Sequence, residues 1–508
     1  MSSPAGPLDA ANPYPEPVTI HAIVQRIAAW QPEKVALVDQ GDTVTYRTLD
    51  IASNAYAHML RSAGVGKGSL VPVLLPRSAE LVVVILGLLK AGAAYALLDE
   101  RWPVARHREI LAQLGAPFVV SSPDHADTMP FEVWTPGQHT VDHVEQFEST
   151  VVGAHDPCCA FFTSGTTGRP KIVVSPHSGT VRLFHPCSFA RFDERTVMPL
   201  AAALPWDGFA FELWSVLLNG GTSVIVREPY LTPQVLRHDV REYGVNTVFL
   251  STSLLHLFVD EDIDVFDGVE QVVTGGERLS ARHVRQFLQR YPATALVNGY
   301  GPVESTCVGT THQVTLADCD LPNGIPIGRP VSRTEIYVLA GERRCGVGEP
   351  GELCIAGDGL ALGYLGMADL TAEKFPILDV DGRCIRVYRT GDLAQWDADG
   401  LLHYLGRVDR QVKIRGHRVE PAEVERQIEE LLDIELLPRS RCGPQCRGLS
   451  THPQRKAGRG RTAWTAPRRR AERTSCRPAR CRPARRARRW YVRRGARPVE
   501  CALPIPLR

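Results

Sequence analysis

No apolar run in the sequence reaches the roughly 20 residues that a membrane-spanning helix needs. The most apolar stretch, LVVVILGLLKAGAAYALL at residues 81–98, is interrupted by Lys90 and diluted by Gly and Ala. It is expected to be a buried helix followed by a buried strand. Residues 1–18 are Pro-rich and lack a basic n-region, so no secretory leader is expected there. The 13 cysteines form no even, closely spaced framework, which excludes a disulfide scaffold and suits a reduced, cytoplasmic setting. No internal repeat is present, so a repeat architecture is excluded.

Net charge is also close to absent, at +2 over 508 residues, but that balance hides two unlike parts. Residues 439–508 hold 22 Lys and Arg against 2 Asp and Glu, whereas residues 1–438 hold 36 against 54. The body is acidic in the ordinary way of soluble proteins, and only the tail is basic.

What is present is an alternating pattern. Residues 1–18 read as a flexible entry. Helical stretches such as Ile20–Trp30 and Leu49–Ala63 are followed by short β-rich runs at Leu70–Leu75, Pro117–Ser121, Thr222–Arg227, Thr247–Ser251 and Val269–Thr274. Strands interleaved with amphipathic helices predict parallel sheets with crossover helices. Between Ile325 and Tyr404 the texture turns to Gly-bounded β runs, which suits a small barrel-like subdomain. GRVDRQVKIRG, from Gly406, predicts a hairpin, and VEPAEVERQIEELL a helix with acidic residues in its first turn. After about Leu437 apolar periodicity vanishes. A segment of Arg, Pro, Ala, Gly and Cys cannot bury enough surface to offset its ordering entropy, so residues 438–508 are expected to be disordered.

The most informative residues are Thr163–Lys171, TSGTTGRPK. Gly165 and Gly168 permit tight turns and close backbone approach to a polyphosphate. Thr163, Ser164, Thr166 and Thr167 offer hydroxyl groups, and Lys171 a mobile cation. The glycines are too close for a P-loop, and no Ser or Thr follows the lysine. Ala160–Phe162 reads as the end of a buried strand leading into the loop.

This loop resembles the signature of the adenylate-forming superfamily, and further blocks follow in the order found in adenylation domains of nonribosomal peptide synthetases. They are VTYRTL (Val44–Leu49), LKAGAAYALLD (Leu89–Asp99), FELWSVLLNGG (Phe211–Gly221), NGYGPVES (Asn298–Ser305), GELCIAGDGLALGYL (Gly351–Leu365), YRTGDLA (Tyr388–Ala394) and GRVDRQVKIRGHRVEPAEVE (Gly406–Glu425). The resemblance spans residues 19–437. It implies an α/β fold: a large N-terminal domain, residues 19–404, of two α/β sheet subdomains plus a small β-barrel-like subdomain. A partial α+β C-terminal domain, residues 405–437, follows.

It also implies a reaction, the joining of a carboxylate to the α-phosphate of ATP with release of pyrophosphate, by an AMP-forming ligase. Residues Thr163–Lys171 would hold the β- and γ-phosphates. Glu304 would hold Mg²⁺, a hard cation suited to carboxylate oxygen. Gly299 and Tyr300 would line the adenine site, with a flat tyrosine face for stacking. Asp392 would accept bonds from both ribose hydroxyls, with Arg407 assisting. Asp409 matches the family hinge about which the small domain turns, and Lys413–Arg418 the face presented for thioester formation. Two residues depart from the usual pattern: Ile172 stands for a glycine and Val303 for a threonine. Each departure forfeits at most about one neutral hydrogen bond, about 0.5–1.5 kcal/mol.

In the amino-acid-activating branch an aspartate binds the substrate ammonium, here Asp207 in WDGFAFE; a helix N-cap is its structural alternative. The matching pocket positions are Gly208, Phe211, Phe249, Val273, Gly275, Gly299, Cys307 and Val308. None is charged, which suits a branched apolar side chain such as isoleucine or valine. The implied partners are an amino acid and, in trans, the 4'-phosphopantetheine thiol of a peptidyl carrier protein. No membrane or nucleic-acid partner is expected.

In the family a later NGK lysine bridges carboxylate and phosphate. Here the only lysine after Lys413 is Lys456, in PQRKAGRGR, which does not match. The tail admits three readings: a basic arm for nucleic acid, an irregular zinc site from Cys442, Cys446, Cys476 and Cys481, or out-of-frame GC-rich coding sequence beyond about residue 437. The third is the expected one, and resequencing that finds the frame intact would remove it. The competing functions are a free-standing acyl- or aryl-CoA ligase, against which Asp207 argues, and a nucleotide-binding protein impaired in turnover.

Overall fold

The computed structural model describes residues 18–125, 131–136, 146–163, 170–185, 187–409, 411–414, 417–419, 424 and 428. The readings of a flexible entry and a basic tail lie outside these residues. Residues 1–423 form one compact unit; of residues 424–508 only Val424 and Ile428 are described, both helical and exposed.

The apolar stretch 81–98 is a helix, Ala79–Lys90, and a strand, Ala94–Leu97, buried throughout. Ser78 caps the helix by accepting the Leu81 N–H at 3.1 Å. Lys90 needs no solvent, because its ammonium donates to Asp50 Oδ1 (2.6 Å), Asn54 Oδ1 (2.7 Å) and the Asp50 carbonyl (2.9 Å). A buried cation is tolerated only when its donors are all met. No helix among the described residues is long and apolar enough to cross a membrane. The eight cysteines among them are all free.

Helix Ile20–Trp30 matches its expected bounds, but the next helix starts at Tyr46 rather than Leu49. The reason is local: Thr45 caps it, accepting the Thr48 N–H at 3.1 Å.

The strand-helix alternation builds mixed sheets. One has seven strands in the order Gly363–Tyr364, Lys171–Pro176, Pro157–Thr163, Ala94–Leu97, Leu70–Leu74, Val119–Ser121, Val133–Trp134. Its central pairs are parallel, and the two pairs made by Lys171–Pro176 are antiparallel. A four-stranded sheet joins Asp42–Thr45, Val35–Asp39, Thr222–Ile225 and Val197–Leu200. A five-stranded sheet runs Thr247–Ser251, Gln271–Gly275, Ala295–Tyr300, Thr310–Gln313, Arg329–Pro330, with its first three strands parallel. The strand-rich stretch after Ile325 supplies an antiparallel sheet ordered Arg343–Arg344, Thr334–Ala340, Gly351–Gly357, Tyr388–Trp396, Leu402–Arg407. The expected hairpin after Gly406 is the pair Val412–Ile414 and His417–Val419; of the helix beyond it only Val424 and Ile428 are described.

Two histidines are buried where the first helix meets helix His177–Phe184. His177 Nδ1 accepts the Ile20 N–H at 3.3 Å, and the His21 and His177 rings meet edge-on at 5.6 Å. Burial lowers His21 to about 4 and His177 to about 3. Below the unfolded value of 6.5 the unfolded chain gains protons that the folded chain refuses, so stability falls as pH drops. Between pH 7 and 5 each histidine should cost about 2 kcal/mol. Denaturant midpoints of wild type and H177N across this range check it, with a shallower slope expected for the variant. Equal slopes would count against the assignment.

Candidate active site

Strands Pro157–Thr163 and Lys171–Pro176 pair antiparallel, so Thr163 and Lys171 face each other across the base of the loop. Ser164, Gly165, Thr166, Thr167 and Gly168 lie outside the described residues. Thr163 Oγ1 is buried and has no hydrogen-bond partner among the described residues. Ile172, one of the two departures, is fully buried among Phe162, Leu74 and Leu98, which explains an aliphatic residue there.

The edge strand Gly363–Tyr364 pairs with Val173 and Val174, and this register carries Tyr364 beside Lys171. The Lys171 ammonium lies 5.9 Å from the Tyr364 ring centre. The Tyr364 hydroxyl donates to Glu304 Oε1 at 2.9 Å. Glu304 itself is fully buried, in the short 3₁₀ turn Val303–Ser305. Loop lysine and acidic residue, 133 positions apart in the sequence, are therefore joined through a tyrosine. Tyr364 was missed as a site residue, although it lies inside the GELCIAGDGLALGYL block.

A cavity of about 610 Å³ opens past the C-terminal ends of strands Gln271–Gly275 and Ala295–Tyr300. Ligands of α/β sheets commonly bind beyond these ends. Gly299, Tyr300, Asp392, Arg407 and Asp409 all line it, together with Asn298, Ile327 and Tyr404. Asp392 and Arg407 face each other on neighbouring strands, and Arg407 Nη1 donates to Asp392 Oδ1 at 2.6 Å. The Tyr300 hydroxyl donates to Asp392 Oδ2. Burial, then the charge of Asp392, pushes that phenol well above its usual range, so it stays a donor. Arg407 also grips Asp409 through Nε (2.7 Å) and Nη2 (2.6 Å). One guanidinium thus holds two carboxylates in fixed positions at the mouth of the cavity.

The residues matched to the acid pocket also converge. Asp207 opens helix Asp207–Leu217; the cap position is Trp206, so the N-cap alternative for Asp207 does not hold. Its carboxylate acts electrostatically on Cys307, whose thiol is pushed well above its usual range by burial first and Asp207 second. Phe211 and Phe249 lie 4.7 Å apart, and a Cβ on Gly208 would meet Phe249 at 3.2 Å. Phe249 pairs in register with Val273, and Gly275 with Gly299. A Cβ on Gly275 would sit 2.4 Å from the Gly299 carbonyl, and one on Gly299 3.7 Å from Val308. Gly275 therefore lets its strand lie close against Gly299, and Gly299, which also lines the cavity, abuts Val308.

The acidic and hydrophobic partners of this region are built in as well. Glu212 is fully buried and accepts the Ala201 and Ala202 N–H groups at 2.7 Å each, fixing the segment that leads into Trp206 and Asp207. Neither Glu212 nor Asn298, whose Nδ2 donates to the Pro326 carbonyl at 2.8 Å, was singled out from the sequence.

Comparison with known proteins identifies the family. The family model described as AMP-binding enzyme matches residues 24–365. Surfactin synthase subunit 3 of Bacillus subtilis is 37% identical over 410 residues, covering 78% of this chain and 32% of that protein. Bacitracin synthase 1 of Bacillus licheniformis is 35% identical over 428 residues, covering 83% of this chain and 8% of that protein. The chain thus spans a minor part of these curated relatives. Among solved structures, holo-PA1221, a nonribosomal peptide synthetase protein containing adenylation and PCP domains, superposes with TM-score 0.76 at 32% identity, over 82% of this chain and 72% of that one. NpsA-ThdA, an artificially fused adenylation-PCP di-domain from Klebsiella oxytoca, gives TM-score 0.76 at 28% identity, over 82% and 84%. The chain belongs to the AMP-binding enzyme family, as an adenylation domain of the nonribosomal peptide synthetase type.

Proposed function

We propose that the chain activates an apolar α-amino acid, isoleucine or valine fitting best, as its aminoacyl-AMP and delivers it to the phosphopantetheine thiol of a carrier protein in trans. The observation that carries this reading is the pairing of one carboxylate, Asp207, with an uncharged lining of Phe211, Phe249, Val273 and Val308. A carboxylate suits an ammonium, and an apolar wall suits an aliphatic side chain.

In the reaction a carboxylate oxygen forms a bond to the α-phosphorus, and the bond from that phosphorus to the bridging oxygen breaks. The electron pair leaves with pyrophosphate. Both reactants are anions, so placement and charge neutralisation carry the catalysis. Lys171, buried at the loop base, is placed to neutralise phosphate oxygens. Asp392 and Arg407 orient the ribose, and Tyr300 walls the adenine side. The buried Glu304 carboxylate suits Mg²⁺, which takes one or two carboxylates plus substrate phosphates rather than a full protein cage. Bound there, Mg²⁺ would neutralise phosphate charge.

ATP–pyrophosphate exchange across the standard amino acids, with aryl and fatty acids alongside, tests the reading. Isoleucine or valine should stimulate exchange most. D207N should raise the amino-acid KM about 100-fold, because the ammonium loses its counter-charge in a partly buried site. Preference for benzoate or a fatty acid would end this reading in favour of a CoA-ligase activity.

A further inference from the structure

Helix His177–Phe184 carries a cation that none of the chemistry above uses. Arg182 is 1% exposed, and burial pulls its ordinary value down to about 10, so it remains charged at neutral pH. Its Nη2 donates to two carbonyls, Ser305 at 2.6 Å and Val308 at 2.9 Å. Nε and Nη1 find no hydrogen-bond partner among the described residues. Burying a guanidinium on these terms is costly, so packing alone is a poor reason for its presence.

The two carbonyls bracket an unusual corner. Thr306 and Cys307 have φ of +50° and +70°, a conformation that residues with a Cβ rarely adopt, here twice in succession. The corner has little freedom to relax. Thr306 Oγ1 donates to the Gly359 carbonyl at 2.9 Å, and a Cβ on Gly301 would lie 2.3 Å from the Cys307 carbonyl. Strained backbone of this kind persists only where its surroundings over-determine it. Glu304 stands two residues before the corner, Cys307 of the acid pocket lies on it, and Val308 of the same pocket follows it. A Cβ on Gly359 would lie 2.0 Å from Nη2 and 2.3 Å from Cζ, so the guanidinium is seated against that glycine.

We propose that Arg182 is a positioning residue for acid selection, its guanidinium clamping the left-handed Thr306–Cys307 corner so that Cys307 and Val308 keep their places in the acid pocket. This rests on the acid-pocket reading above. Both carbonyls are met by one nitrogen, Nη2, which the rigid guanidinium plane seated against Gly359 holds in place; a lysine's flexible stem does not fix an ammonium in that way. Arg182 touches neither nucleotide cavity nor reacting atoms, so nucleotide affinity should be spared.

The probes are AMP and a series of 5'-O-(aminoacylsulfamoyl)adenosines bearing glycine, valine, isoleucine and phenylalanine, titrated calorimetrically into the full chain. They report binding without requiring turnover. Two variants are compared with wild type: R182K, and G359A, which leaves the arginine in place but evicts its guanidinium. Gly359 needs no left-handed φ, so alanine is compatible with its backbone. Both variants should bind AMP within about two-fold of wild type, while the spread of affinities across the aminoacyl series narrows about 10-fold or more. Unchanged discrimination in both folded variants would overturn the proposal. Loss of fold in both would assign Arg182 to stability alone and also overturn it. Wild-type protein that binds AMP but none of the aminoacyl probes better than AMP would sink the acid-pocket reading itself, and this inference with it.

Discussion

Replacing Asp392 with asparagine is expected to weaken ATP binding about 10²–10³-fold, with the fold retained. The carboxylate is 5% exposed and receives Arg407 Nη1 at 2.6 Å on one oxygen and the Tyr300 hydroxyl on the other. An amide of the same shape removes the charge that both donors were set to meet. Arg407 then loses the charge of Asp392 while keeping that of Asp409, and its orientation beside the cavity relaxes. The ribose assignment adds a sharper expectation. If Asp392 accepts both ribose hydroxyls, wild type should lose affinity on passing from ATP to 2',3'-dideoxy-ATP, and D392N should not. This is a double-mutant cycle with one change on the ligand. Calorimetric titration of the four combinations reads it. Additive losses would place the ribose elsewhere.

The second large effect concerns Glu304. E304Q conserves volume in a fully buried site and removes a carboxylate charge that suits a divalent cation. Pyrophosphate exchange at saturating Mg²⁺ should fall about 10³-fold, of the order found when a preorganised electrostatic group is removed. Y364F takes away the hydroxyl that holds the carboxylate at 2.9 Å and leaves the charge, so a smaller loss of about 10–100-fold is expected, the range for one hydrogen bond to a charged group. The ordering of the two variants is the informative result. A larger loss for Y364F than for E304Q would mean that the tyrosine, not the carboxylate, carries the function of this corner.

The residues that could be recognised in the chain were those whose chemistry is local. Helix Ile20–Trp30 and strand Thr247–Ser251 announce themselves by periodicity and fall at their expected bounds. Gly299 with Tyr300, Asp392, and Arg407 stand in three separate blocks of sequence, yet all line one cavity. Tyr364 and Arg182 were not legible, for a common reason. Each owes its role to a partner far along the chain: Tyr364 to the register with Val173, Arg182 to Gly359 and to the carbonyls of Ser305 and Val308. An arginine in the last turn of a short helix reads as a solvated cation that complements the helix dipole. Only tertiary packing turns it inward. The early start of the helix at Tyr46 is a smaller instance, where the cap at Thr45 outweighed the apolar pattern.

The seven-stranded sheet has a consequence for how the protein is made. Strand Lys171–Pro176 lies between Pro157–Thr163 and the two-residue strand Gly363–Tyr364. Its inner partner is synthesised immediately before it. Its outer partner follows about 190 residues later, a delay of roughly 10–40 s at ribosomal rates of about 5–20 residues per second. Throughout that interval the strand that follows the Thr163–Lys171 loop presents unpaired backbone groups at an open sheet edge. Such an edge is a template for pairing with another chain. Nascent chains halted between residues 177 and 362 should therefore be the species most in need of a chaperone, and the last strand to arrive serves both to close that edge and to deliver Tyr364 to Glu304.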